Sequence, residues 1–147
     1  MNLVKSYTYG EDLEERTIVT FSDEGVVKAV KTPFEIPCGV TLFAGKAGAK
    51  GDVVCFGRAL LKTSEAVNAG DLLMADENGK ACKFDLDADV IKNEETSKIV
   101  FIIGQVEESC SGAADLWVMV NPNVITIPTQ AAEETNEEPN EEINGES

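Results

Sequence analysis

The chain has no histidine, no Cys-x-x-Cys pair, little positive charge and no long apolar run. Each absence excludes something. Without histidine, nucleophilic catalysis loses its usual base, which leaves only Ser-Lys or N-terminal-amine variants, and nothing in the sequence marks one. Zinc needs clustered Cys and His ligands. The four cysteines, Cys38, Cys55, Cys82 and Cys110, are too far apart for that. They are expected as reduced thiols, with Cys38, Cys55 and Cys82 buried among apolar residues. The longest apolar run, Ile99 to Gly104, is far short of a membrane helix. Met1-Asn2-Leu3-Val4-Lys5 lacks the apolar region of a secretory signal, so the chain is expected to be cytosolic when made. Aromatic residues are few, nine in all, with Trp117 the single tryptophan.

Acid dominates what is present. Twelve Lys and Arg face 27 Asp and Glu, a net charge of −15 over 147 residues. Seven of the glutamates lie in Pro128 to Ser147, which has no Lys or Arg. The rest, 20 acids against 12 bases, keeps −8. Such a body repels phosphate, so nucleic acid and anionic membrane are not expected partners. The segment 128–147 is too poor in apolar residues to offset ordering entropy and is expected to be a disordered tail.

Residues 1–16 are polar and mixed and read as a loosely held arm. From Thr17 the pattern becomes short β-branched runs between turns. Arg16 to Phe21 and Val26 to Thr32 form a hairpin about Ser22-Asp23-Glu24-Gly25, with glycine where positive φ is needed. Pro33 and Pro37 block a helix, and Val40 to Ala44 is a short strand. Asp52 to Lys62 is a strand with a bulge expected at Gly57. Leu72 to Ala75 and Lys80 to Phe84 flank Asp76-Glu77-Asn78-Gly79, where Asn-Gly predicts a type I′ turn. Asp85 to Ser97 reads as a polar loop. Lys98 to Glu107 and Asp115 to Val120 are the last strands, ended by Asn121-Pro122. Trp117, alternating with Leu116 and Val118, is expected in a core or a subunit interface. About nine short strands and no sustained helical period predict an all-β fold, a compact sandwich or barrel over 17–127.

Motifs that could carry chemistry fail on inspection. Gly45-Lys46 lies in a glycine-rich stretch, but a phosphate loop needs Gly at 40 and Ser or Thr at 47, where Val40 and Ala47 stand. Asp85, Asp87 and Asp89 alternate like a calcium loop, yet Val90 and Thr96 replace the required Gly and Glu. Gly51-Asp52-Val53-Val54 with Gly57 is similar to part of the lipoyl and biotinyl carrier pattern. The hairpin tip is Glu77-Asn78-Gly79, and Lys80 follows it without the carrier's flanking residues. No catalytic, cofactor-binding or metal-binding residue is therefore assigned, and no enzyme activity or cofactor is expected.

The order of segments carries more than any one motif. Gly39-Val40-Thr41, Ala44-Gly45, Gly51-Asp52-Val53-Val54 and Phe56-Gly57-Arg58-Ala59 come first. Val67-Asn68-Ala69-Gly70-Asp71-Leu72-Leu73 and Asp76-Glu77-Asn78-Gly79-Lys80-Ala81 follow, then Ile102-Ile103-Gly104-Gln105-Val106-Glu107 and Leu116-Trp117-Val118-Met119-Val120. This layout resembles the small phage proteins known as capsid cement or head decoration proteins. The resemblance implies a tulip-like β fold on the outer surface of a virion. It implies the major capsid protein as partner, a homotrimer at local three-fold positions, and an N-terminal arm that orders on the shell. The N-terminal hairpin, the polar insert Asp85 to Ser97 and the glutamate tail depart from the family layout. A carbohydrate-binding β-module, such as a head-fibre component, is the alternative, and it predicts exposed aromatic platforms.

Overall fold

The computed structural model describes residues 2–85 and 99–126. Nine strands run through them: β1 (Leu3–Tyr9), β2 (Ile18–Asp23), β3 (Val26–Ala29), β4 (Gly39–Thr41), β5 (Lys50–Thr63), β6 (Leu72–Ala75), β7 (Ala81–Lys83), β8 (Ile99–Val106) and β9 (Ala114–Thr126). The all-β fold class is as the turn spacing and β-branched runs predict. The polar insert beyond Asp85 and the glutamate tail lie outside the described residues.

The strands close into two rings that share β5. In the first, β1 pairs with β3, β3 with β2, β2 with β4, and both β4 and β1 pair with the first half of β5. In the second, the other half of β5 pairs with β9, then β9 with β8, β8 with β6 and β6 with β7. A parallel bridge from Thr63 to Ala81 returns to β5. Closure removes most exposed strand edges, which is how a small all-β chain avoids edge-to-edge aggregation.

The rings share their cores through paired neighbours. Ile18 and Val19 point to opposite faces of β2, yet both are fully buried. Val19 packs inside the first ring with Tyr9, Val27 and Val53. Ile18 joins the larger core of Val40, Val54, Leu61, Leu73, Ile103 and Val118. Val53 and Val54 divide in the same way. Runs such as Ile18-Val19 and Val53-Val54 thus mark strands covered on both faces.

Several expectations change. Residues 1–16 do not form a loose arm: β1 pairs with β5 from Leu3↔Phe56 to Thr8↔Lys50. Tyr9 is 1% exposed, because its ring fills the first ring's interior. The register shift in β5 falls beside Phe56, just before Gly57. The strand predicted over Val40 to Ala44 is only Gly39–Thr41, with Leu42 and Phe43 left exposed. Asn121-Pro122 does not end the last strand, which runs on to Thr126. Pro122 fits because the β8–β9 register shifts between Ile102 and Gly104, and a bulge does not require its missing N–H. The cysteines are half-buried rather than buried.

The Asp76–Lys80 hairpin forms, but its turn is not type I′. Gly79 has φ 79°, whereas Asn78 does not have positive φ. Asp76 controls the turn instead. Its carboxylate accepts from Asn78 N–H at 2.8 Å and from Lys80 N–H at 2.9 Å. The Asp76 N–H donates to the Lys80 carbonyl at 2.8 Å. An aspartate that can bond the backbone ahead of it favours this wider turn, with only the glycine in the left-handed region.

Candidate docking surface

Two surface features stand out. The first is apolar. Ile36, Pro37, Phe101, Pro122, Asn123 and Val124 line a shallow groove of about 260 Å³. It brings the loop before β4 against β8 and β9, one element from the first ring and two from the second. Ile36 is 66% exposed and Val124 48%. The Ile36 loop is held in place, since the Thr20 hydroxyl donates to the Ile36 carbonyl at 2.5 Å and Phe101 N–H donates to Pro33 at 2.9 Å. Exposed Phe21 follows Thr20 and stands edge-on to Tyr7, ring centroids 5.1 Å apart. A firmly held apolar surface of this kind suits contact with another protein.

The second feature is a cleft of about 430 Å³ lined by Asn2, Arg16, Thr41, Leu42, Arg58, Ala59, Leu60 and Trp117. It holds the chain's only two arginines and its only tryptophan. The Arg58 guanidinium lies 4.1 Å above the Trp117 ring, and Glu107 accepts from its Nε at 2.8 Å. This cation–π contact explains why Trp117 is half-buried on the outer face of β9 and not in a core. Arg16 is the only non-glycine described residue with positive φ, at 58°. Its guanidinium pairs with Asp115 and Glu15. Its N–H donates to Thr41 at 2.8 Å, and its carbonyl accepts from Lys62 N–H at 3.3 Å. A strained backbone held from both sides is characteristic of a functional position.

No cysteine lines either feature, although Cys38 directly follows Pro37 of the groove. Burial, and secondarily Cys55, pushes the Cys38 thiol up to about 12. Burial, then Glu65 and Asp76, does the same for Cys82, also to about 12. Among the described residues no group of three His, Cys, Asp or Glu is placed to hold a metal ion. The glycine-rich stretch after Gly45 is pinned to the acidic segment before it. Asp12 accepts from Ala47 N–H at 2.9 Å and stands 3.6 Å from Lys46 Nζ. That hydrogen bond, and then Lys46, holds the Asp12 carboxyl below the usual range.

The two rings as a whole have a counterpart. The fold resembles the base of a phage head fibre. The solved structure of the head fiber gp8.5 N base in bacteriophage phi29 superposes with a TM-score of 0.58 at 12% identity, covering 82% of this chain and 95% of that chain. At that identity the likeness is one of fold. No protein-family model matches the chain, and no curated protein matches it.

Sequence reading found neither surface feature. Arg16, Arg58 and Trp117 are 42 and 59 positions apart, and only the sharing of β5 brings them together. Their rarity was the available signal: a chain with two arginines and one tryptophan uses each sparingly.

Proposed function

We propose that this protein is a structural component of a phage virion that docks on the outer capsid surface and stabilises the shell, performing no catalysis and needing no cofactor. The observation that carries the reading is the likeness of both rings together to a head-fibre base, a part of a phage head, in a chain whose segment order resembles capsid cement. The partner is the major capsid protein. The docking face is the apolar groove of Ile36, Pro37, Phe101 and Val124, because it is exposed, firmly held and spans both rings. A ligand that binds only the assembled shell raises its stability by mass action.

A second reading takes its support from the same likeness: the chain is the base of a fibre that extends from the head. In its glycan-binding form this reading needs open aromatic platforms: the face of Trp117 is covered by Arg58, whereas Phe21, Phe43 and Phe56 are exposed.

The test mixes purified protein with undecorated capsids of its virus and measures co-sedimentation and shell melting. Wild type should saturate the shell and raise its melting temperature. Ile36→Asp with Val124→Asp should fold normally and bind poorly. No co-sedimentation at micromolar protein would overturn the decoration reading, and strong binding on a glycan array would favour its rival.

A further inference from the structure

The last strand keeps one edge open. β9 pairs with β5 as far as Gly57↔Val120 and no further. There β5 turns into the first ring, with Gly57 at φ 118°. Beyond Val120, β9 has β8 alone as a paired neighbour. In an antiparallel ladder, residues alternate between bonding one side and the other. Phe101 donates its N–H to Pro33 at 2.9 Å, away from β9. Its register partner Val124 therefore turns its own N–H and C=O away from β8, and Thr126, two residues on, does the same. The Val124 N–H goes to the Asn123 side chain at 2.8 Å. No described residue bonds the Val124 carbonyl or the Thr126 N–H.

This edge opens on the apolar groove. Side chains alternate along a strand, yet Pro122, Asn123 and Val124 line the groove in a row, as residues at an edge do. A free donor and acceptor at a strand edge take an extended polypeptide. We propose that an extended, uncharged segment of the capsid protein adds to β9 here as a further strand and sets apolar side chains between Ile36 and Val124. The inference rests on the docking reading and names the form the partner takes. The groove has no charged side chain in its lining, so the glutamate-rich segment 128–147 is a poor occupant. A second copy fits poorly as well. Two β9 edges paired about Val124 would set Pro122 against Thr126 at both ends, and proline has no N–H to give. Both copies would also carry the same net charge of −15.

The test uses the full chain and undecorated capsids of its virus. Hydrogen exchange at the Thr126 amide is read at residue level, free and on the shell. Thr126 should exchange as an open amide in the free protein and at least about tenfold more slowly on the shell. Thr126→Pro removes only an outward N–H, which an edge strand tolerates. It should melt like wild type by circular dichroism yet bind at least about tenfold more weakly. Thr126→Val keeps the N–H and should bind like wild type. Should the proline variant unfold, exchange in the wild type decides alone. If wild type binds but Thr126 stays unprotected, strand addition is overturned and the docking reading stands. Equal binding by a folded Thr126→Pro would have the same meaning. A Thr126 amide already slow in the free protein would overturn the inference too, because the chain's own tail or a second copy would then hold the edge. If wild type does not bind at all, the docking reading fails and this inference with it.

Discussion

Tyr9 lies in a notch left by Gly51: a Cβ on Gly51 would stand 2.2 Å from the Tyr9 hydroxyl oxygen. The same hydroxyl donates to the Phe43 carbonyl at 2.7 Å. Burial, with Asp52 nearby, raises the phenol above its ordinary value, so it remains a neutral donor. Gly51→Ala should therefore expel the ring or split β1 from β5, costing about 2–4 kcal/mol. Tyr9→Phe keeps the ring and leaves one carbonyl unmet, costing about 1–2 kcal/mol. Urea titration checks both, and a neutral Gly51→Ala would refute the notch.

Deletion of the first fifteen residues should prevent cooperative folding. An arm that orders only on the shell would be dispensable in solution. Here the deleted stretch contains β1, which closes the first ring, and Leu13, which is buried beside Tyr9. Circular dichroism on heating should show no sharp transition for the truncated chain. A sharp transition near the wild-type temperature would show that the first ring does not need β1.

The Asp76 turn separates two neighbouring positions. Gly79→Val should cost about 1–3 kcal/mol, since φ is 79° and a Cβ would meet Thr17 Cγ2 at 2.7 Å. Asn78→Val should stay within about 0.5 kcal/mol, because its backbone is not left-handed. Asp76→Ala removes the acceptor of two backbone bonds and should cost about 1–3 kcal/mol. Equal losses at positions 78 and 79 in denaturant titration would restore the type I′ turn.

Cys38 and Cys82 should resist alkylation. With thiols pushed up to about 12, only about one in 10⁴ is thiolate at pH 8, against roughly one in four for a free cysteine. Iodoacetamide followed by peptide mass spectrometry should label both at least about 100-fold more slowly in the folded chain than in urea. Equal rates would mean that these thiols are far more open than their packing indicates.

Local sequence determined much of this protein. β-branched runs, glycine and aspartate turns and the missing helical period dictate short strands, because strand and turn preferences act within a few residues. Pairs such as Ile18-Val19 and Val53-Val54 also carried, unread, the message that both strand faces are covered. Tertiary structure decided the rest. Residues 1–16 look like an arm because β1 has only its Tyr9 end buried, and its other partners lie 40 or more positions away on β5. Pro122 looks like a strand end because a bulge is a relation between two strands. The cleft of Arg16, Arg58 and Trp117 exists only where the two rings meet on β5. No local pattern encodes it, because the contacts that build it are set by ring closure.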